Sequence, residues 1–120
     1  MRRGEIWVAR LNPNIGAEIG KVRPVVILME PLFLEAESPV VMVAPLTTKY
    51  WPGLAQLHVA VPARDRLLKD SHIVLEQTRS LDRSRFGKHS LGKLTPEEMN
   101  VVEQRLMMMF GIFISSGQRR

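Results

Sequence analysis

The sequence predicts one small, mainly β domain in which antiparallel strands form a strongly curved sheet or barrel and one helix packs at its side. Short apolar segments rich in β-branched residues recur through the chain, with turn residues between them. A single segment with helical spacing follows near the C-terminus. The length of 120 residues suits one domain, residues 1–120, and leaves no room for a second. A parallel α/β fold is disfavoured because helical segments do not alternate with the strands.

Strands are predicted wherever these apolar segments occur. Residues 5–11 alternate roughly between apolar and polar side chains, as in a half-buried strand. Residues 25–29 are apolar throughout, so we expect that strand to be buried on both faces. Pro13 and Gly16 predict a loop between the two. The remaining predictions are strands at 39–44, 57–61 and 72–81, a helical turn at 31–34 and a long loop around 49–55.

The last helix has the clearest local signal. Thr95 can cap backbone amides, Pro96 suits the first helical position, and Glu98 completes a capping box. An amphipathic helix is therefore predicted from here to near Gly111, and residues 115–120 are expected to fray. Its predicted apolar face consists of Met99, Val102, Leu106, Met109 and Phe110.

Composition excludes several functional classes. The chain has no cysteine, which rules out disulfides, a thiol nucleophile and thiolate zinc sites and favours a reducing compartment. It shows no signal-peptide pattern and no apolar run long enough to span a bilayer, so we expect a soluble cytoplasmic protein without membrane contact. A net charge of +5 favours a polyanionic partner.

Common catalytic and metal-binding motifs are missing as well. The histidines, His58, His72 and His89, are predicted on two strands and a loop, without metal-ligand spacing. No nucleophile elbow or phosphate-binding P-loop occurs. We expect no metal and no cofactor. The paired carboxylates are expected to be solvated; they are Glu35 with Glu37, Asp65 with Asp70, and Glu97 with Glu98.

Arg23 and Thr47 allow two interpretations each. Arg23 precedes a proline at the start of a predicted buried strand, where it could form a rim salt bridge with Glu18 or face a phosphate. Thr47 and Thr48 follow the third predicted strand, where their hydroxyls could bond neighbouring backbone. A cleft shared by Arg23 and Thr47 could instead hold a phosphate.

Residues 78–88 form a basic run, which is either a solvated hairpin or an electrostatic track for a nucleic-acid backbone. Aromatic side chains that could stack on bases are Tyr50, Trp51 and Phe86. The cations of the run are Arg79, Arg83, Arg85 and Lys88.

The motifs taken together resemble the MazF/PemK family of toxin endoribonucleases, in order and along essentially the whole chain. The matching segments are residues 3–7, 11–13, 16–18, 21–26, 45–48, 76–82 and 91–98. The resemblance implies an SH3-like barrel of the type shared with the gyrase poison CcdB, assembled as a homodimer. It also implies metal-independent, sequence-specific cleavage of single-stranded RNA, leaving a 2′,3′-cyclic phosphate and a 5′-hydroxyl.

Site residues follow from the same resemblance. The family's arginine before proline corresponds to Arg23, and its strand-end threonine to Thr47, so these two are the predicted catalytic residues. One branch of the family has histidine at the place of Ala17 and an acid–arginine pair on the fifth strand, where this chain has Val74 and Glu76. The mechanism carried over is therefore the arginine–threonine one. Predicted RNA contacts are Glu18, Lys21, Thr48, Glu76, Gln77, Arg79 and Arg83.

Partners implied by the resemblance are single-stranded RNA and a cognate antitoxin whose disordered, often acidic C-terminal segment wraps the toxin dimer. Operator DNA is expected only as a partner of the toxin–antitoxin complex. Two alternative functions remain at the level of sequence. One is a CcdB-like toxin that grips a protein target such as gyrase, although the tryptophan-containing C-terminal end of those toxins is missing here. The other is a catalytically silent nucleic-acid-binding module.

Overall fold

The architecture is a curved, seven-stranded antiparallel sheet with one long helix after it, in a computed structural model that describes residues 1–112. The mainly β prediction with a C-terminal helix is confirmed. The strands are β1 Glu5–Arg10, β2 Val22–Ile27, β3 Val40–Thr47, β4 His58–Val61, β5 Ser71–Val74, β6 Arg79–Asp82 and β7 Phe86–Lys93. The helices are α1 Pro31–Glu35 and α2 Pro96–Phe110, and three 3-10 turns lie at Pro52–Leu57, Leu75–Gln77 and Arg83–Arg85.

The strand order is β4-β5-β3-β2-β1-β7, with β6 also paired to β3. The first part of β3 pairs with β6, whereas its last two residues pair with β5. Pro45 lies between these two partners and pairs with Val25 of β2 on its other side. A proline is tolerated there because no β5 or β6 residue opposite needs its missing N–H. β3 is thus the strand about which the sheet curls.

A loop links the two edges of the sheet. The backbone N–H groups of Arg66 and Leu67, in the connection between β4 and β5, donate to the carbonyl oxygen of Leu91 on β7 at 2.9 and 3.1 Å. The β4–β5 connection therefore packs against β7, the opposite edge strand. The sheet curves like a barrel although its edge strands β4 and β7 do not pair with each other.

The core is divided by the sheet. Val26 lies in one cluster, which α2 covers through Val102, while Val25 and Ile27 lie in the other, beside Leu34 of α1. These three residues are fully buried, which confirms burial on both faces for the first part of the predicted run 25–29, whereas Leu28 and Met29 are half-buried.

Three element predictions need correction. β2 begins at Val22 rather than residue 25, because Arg23 and Pro24 pair with β1, and it ends at Ile27 rather than residue 29. The predicted strand 72–81 is broken by the turn Leu75–Gln77, since its two halves pair with different parts of β3. Phe86–Lys93 is a strand, not a loop or hairpin tip, because it pairs with β1. His89 is therefore on a strand.

Helix α2 matches the prediction at both ends. Thr95 Oγ1 accepts from the Glu98 N–H at 3.1 Å, Glu98 Oε1 accepts from the Thr95 N–H at 2.8 Å, and Gly111 adopts a left-handed conformation. Phe110 departs from the predicted apolar face, because its side chain is 62% exposed. The predicted fraying of 115–120 lies outside the described residues. No helix within residues 1–112 is long and apolar enough to cross a membrane.

Glu98 also differs from the expected solvated carboxylate. Its two carboxylate oxygens accept from the Arg64 guanidinium at 2.5 and 2.6 Å, which joins α2 to the β4–β5 connection. Burial alone would raise the pKa of Glu98, but the hydrogen bonds from Arg64 and Thr95 outweigh it and hold that pKa below its ordinary value.

Candidate active site

Arg23 and Thr47 face each other because of how β2 pairs with β3. The paired residues of β2 and β3 end at Val25 and Pro45, and Arg23 and Thr47 each lie two residues beyond that pair, at matching positions of the antiparallel register. Side chains at opposite positions of an antiparallel pair lie on the same face of the sheet. The expected meeting of these two residues is therefore a consequence of strand register.

Two cavities meet at this pair, because both are lined by Arg23, Thr47 and Thr48. The first, the Arg66 cavity, has a volume of about 300 Å³. The second, the Trp51 cavity, has a volume of about 260 Å³. The Arg66 cavity is also lined by Pro24, Leu46, Arg66, Leu67, Leu68, Lys69, Ser71 and Leu91. The Trp51 cavity is also lined by Glu18, Ile19, Gly20, Lys49 and Trp51.

The Arg23 guanidinium is held on one side only. The side chain is half-buried, and its Nε–H donates a long hydrogen bond, 3.4 Å, to the carbonyl oxygen of Gly20. It forms no ion pair with any residue from 1 to 112, so the alternative of a salt bridge with Glu18 is wrong. Glu18 instead accepts from the N–H of Ile15 within its own loop. The terminal amino groups of Arg23 therefore remain available to an anion.

Thr47 is buried, with 8% of its surface exposed. Its Oγ1 accepts from the N–H of Lys49 at 3.2 Å, which confirms the interpretation of a hydroxyl that bonds neighbouring backbone. A hydroxyl that accepts in this way still has its own proton to donate. Thr48 is exposed and lines both cavities.

The β1–β2 loop beside Arg23 is held in place by Gln77. The Gln77 Oε1 accepts from the N–H of Ile19 at 2.6 Å, and its Nε2 donates to the carbonyl oxygen of Ala17 at 3.0 Å. The same loop supplies the Gly20 carbonyl that receives the Arg23 Nε–H. Gln77 is thus connected to Arg23 through the loop backbone. Lys21 is exposed on this loop with a positive φ of 65°.

Glu76 lies on the turn Leu75–Gln77 rather than on a strand. Its carboxylate meets the Nε2 of buried His58 at 3.0 Å, and the His58 Nδ1 is buried with no partner among the described residues. A carboxylate only accepts, so Nε2 must carry the shared proton. The Trp51 ring packs edge-on against the His58 ring, with centroids 5.8 Å apart. The contact between Glu76 and His58 therefore holds the ring against which Trp51 packs.

The arginines of the predicted basic track are bound to backbone carbonyls. Arg79 donates to Leu11 at 3.3 Å and Arg85 to Arg10 at 3.2 Å. Arg83 donates to Leu34 at 3.2 Å, so it caps α1. It follows Asp82, which pairs with the first residue of β3, and an eight-residue strand puts that end about 23 Å from Thr47.

The other predicted contacts lie nearer Arg23 and Thr47. A third cavity, of about 270 Å³, is lined by Glu18, Glu76, Gln77, Thr78 and Arg79. Of the predicted stacking side chains, Tyr50 and Trp51 are exposed, whereas Phe86 packs against the second core cluster.

Sequence reasoning missed the cations that line the cavities. Lys49, Arg66 and Lys69 lie in loops that have no motif of their own, and only the fold brings them beside Arg23. The sequence offered one signal that could have indicated them, which is that they are basic residues in loops between predicted strands. Within residues 1–112, no group of three or more histidine and carboxylate side chains is arranged to hold a metal ion.

Comparison with known proteins identifies the family of this chain. The profile described as "PemK-like, MazF-like toxin of type II toxin-antitoxin system" matches residues 2–110. The chain is 36% identical over 113 residues to "Endoribonuclease MazF" of Staphylococcus saprophyticus, covering 93% of this chain and 92% of that relative.

Solved structures share the fold. Mycobacterium tuberculosis toxin MazF-mt6 superposes with a TM-score of 0.75 at 25% identity, covering 92% of this chain and 99% of that one. A mycobacterial endoribonuclease in complex with its cognate antitoxin has a TM-score of 0.73 at 20% identity, covering 93% and 96%. The chain belongs to the PemK-like, MazF-like family of toxins of type II toxin–antitoxin systems.

Proposed function

We propose that this protein is an endoribonuclease toxin that cleaves single-stranded mRNA at a specific sequence, without a metal ion or cofactor. The observation that carries the proposal is the half-buried Arg23 guanidinium, opposite Thr47 and without an ion-pair partner among residues 1–112. A permanently charged planar donor beside a hydroxyl suits a phosphate oxygen. The similarity to a relative named an endoribonuclease supports the same activity.

The reaction begins with attack of a ribose 2′-oxygen on the adjacent phosphorus. A new P–O bond forms to that oxygen and the P–O5′ bond breaks, which leaves a 2′,3′-cyclic phosphate and a 5′-hydroxyl. The nucleophile is already tethered to the reacting phosphate, so the protein has to orient it rather than capture it. Arg23 and the Thr47 hydroxyl stabilise the negative charge that develops on the phosphorane oxygens. The 2′-hydroxyl loses its proton to solvent as it attacks, and the leaving 5′-oxygen takes up a proton from solvent, while Arg23 stays charged and acts only through hydrogen bonds.

RNA contacts are proposed for side chains around the three cavities. Glu18, Thr48, Glu76, Gln77 and Arg79 line these cavities, and Lys21 is exposed on the adjoining loop. Arg83 lies at the far end of β3. Its role as an RNA contact stays a prediction. Arg83 could contact the RNA only if the bound RNA extends beyond the cleft at Arg23 and Thr47.

A cognate antitoxin is the proposed protein partner. A related mycobacterial endoribonuclease has been solved with its antitoxin, and the net charge of +5 suits an acidic, disordered segment. Such a segment would compete with RNA for the cleft. Operator DNA would be bound only by the toxin–antitoxin complex.

A homodimer of one-domain subunits completes the proposal. Met108, Phe110 and Ile112 expose more than half of their surface at the end of α2. An apolar patch of this kind is typical of a subunit interface.

The test incubates the purified protein with a long single-stranded RNA in EDTA and maps the 5′ ends of the products. We expect cuts at one short recurring sequence, with 5′-hydroxyl and cyclic phosphate ends, and no cuts with Arg23→Ala. Intact RNA with the wild-type protein would overturn the proposal. Inhibition of gyrase in a parallel assay would then favour a protein-binding toxin.

A further inference from the structure

We infer that the β4–β5 connection, residues 62–70, is a phosphate-binding subsite for the RNA strand on one side of the scissile bond. The inference rests on the proposed ribonuclease function and assigns a second part of the substrate to residues that no motif indicates. Its ligand is the phosphodiester next to the one held by Arg23 and Thr47.

The subsite presents cations that have no competing partner. Arg66 and Lys69 are exposed and line the Arg66 cavity together with Arg23. Neither side chain forms an ion pair or hydrogen bond with residues 1–112, whereas Arg79, Arg83 and Arg85 are bound to backbone carbonyls. The lining of this cavity contains no carboxylate. Free cations around a cavity without acids attract a phosphate backbone.

Hydrogen bonds order the backbone of the connection that carries these cations. Arg64 and Leu67 exchange backbone hydrogen bonds of 2.9 and 2.7 Å, and Asp70 accepts from the Ala63 N–H at 2.8 Å. The bonds from Arg66 and Leu67 to Leu91 fix the same loop to β7. Asp70 is thereby occupied with its own loop. A loop ordered before binding loses little conformational entropy when it binds a ligand.

The Trp51 cavity is the counterpart on the other side of the catalytic pair. There Lys49 Nζ lies 6.0 Å from the Trp51 ring centroid, and that ring is exposed enough for a base to stack on it. Since Arg23, Thr47 and Thr48 line both cavities, a strand that runs from one cavity to the other passes this pair, and its scissile phosphate would lie there. Nucleotides on opposite sides of the cut then meet Trp51 and Arg66.

The first experiment measures binding to an RNA oligonucleotide that spans a mapped cleavage site and carries a 2′-deoxy sugar at the cut. The double variant Arg66→Ala/Lys69→Ala should lower the slope of log affinity against log salt by about 1.4, two contacts at about 0.7 each. In single-turnover cleavage it should need more protein for half-maximal rate and keep the maximal rate. Arg2→Ala/Lys93→Ala removes the same charge from exposed positions outside the cavity and should change neither value.

The second experiment locates the strand by crosslinking. The chain has no cysteine, so Lys69→Cys and Lys49→Cys each offer a single thiol for a photoreactive reagent. We expect the two variants to crosslink to nucleotides on opposite sides of the cut, and Lys93→Cys to crosslink to none.

The outcomes separate this inference from the proposed function. Wild-type protein that cleaves no RNA would refute the ribonuclease. Normal cleavage with an unchanged salt slope in Arg66→Ala/Lys69→Ala, or crosslinks from positions 49 and 69 on the same side, would overturn the subsite alone.

Discussion

The hydroxyl group of Thr47 has a structural role and is also the group for which we propose a chemical role. It accepts a backbone hydrogen bond from Lys49 while its own proton remains for a substrate oxygen. Arg23 is placed by strand register on one side and by the Gly20 carbonyl on the other. At the scale of single residues, Arg23 and Thr47 are therefore positioned by hydrogen bonds to the backbone rather than by ion pairs.

Removing the hydroxyl should separate catalysis from folding. We expect Thr47→Ala to lower the single-turnover cleavage rate by about 10²-fold or more, as for loss of one transition-state donor. The single lost backbone bond should lower the free energy of unfolding by only about 1 kcal/mol. Thr47→Ser should retain much of the activity, and Thr48→Ala should lose less than Thr47→Ala. A folded Thr47→Ala with nearly normal cleavage would place the chemistry elsewhere.

Gln77 offers a second residue-scale prediction, because it holds the β1–β2 loop by two hydrogen bonds. Gln77→Ala should speed amide hydrogen exchange in residues 15–21 and lower the maximal cleavage rate, since the Gly20 carbonyl then no longer holds Arg23 firmly. Gln77→Glu keeps the acceptor for Ile19 but loses the donor to Ala17, so its exchange should be intermediate. An unchanged exchange pattern with a raised KM would make Gln77 an RNA contact and no more.

Helix α2 shows how one residue can serve two elements. Glu98 closes the capping box and also accepts the bidentate bond from Arg64, so the start of the helix is joined to the loop that carries Arg66. The helix thereby supports the sheet edge, and through it the Arg66 cavity. At the scale of elements, the helix and the cleft are mechanically connected.

Acid should weaken this connection. The pKa of folded Glu98 lies below its ordinary value of 4.5, so its contribution to stability is fully present above that pH and is lost as pH falls through the lower folded value. Glu98→Gln should lower the free energy of unfolding at pH 7 by about 1 to 2 kcal/mol. The measurement is denaturant unfolding from pH 3 to 7, with Glu97→Gln as control. If Glu98→Gln keeps the full acid dependence of the wild type, other carboxylates are responsible.

The molecule as a whole combines a basic cleft with an apolar end. Leu106, Met107, Phe110 and Ile112 line a cavity of about 390 Å³ that the sheet does not fill. The cleft suits an anionic strand and the apolar patch suits a second subunit. The two surfaces are made by different elements, β2–β5 and α2, so substitutions should affect them independently.

The proposed dimer can be tested at this patch. Wild-type protein should sediment as a dimer at micromolar concentration, and Phe110→Glu should shift it to a monomer because a buried, unpaired carboxylate is costly at an interface. Phe33→Glu is a matched control, since Phe33 is 55% exposed on α1 and Phe110 is 62% exposed. Phe33→Glu should leave the dimer intact. A wild-type monomer would contradict the assembly.

Local chemistry was sufficient for some of these features and not for others. The capping box at Thr95, the buried run predicted at 25–29, of which 25–27 are fully buried, and the helical turn at 31–34 each depend on neighbours in the chain, so the sequence by itself determined them. The family motifs also located Arg23 and Thr47, although their register was unknown.

Only the tertiary structure decided the rest. β7 has a polar, glycine-containing sequence, and it is a strand because β1 pairs with it. The break at Leu75–Gln77 exists because β3 needs two partners, and Lys49, Arg66 and Lys69 reach the cleft through pairings between distant segments. Sequence periodicity reports the burial of a segment and its nearest neighbours, whereas strand partners and cavity walls are set by long-range contacts that leave no local pattern.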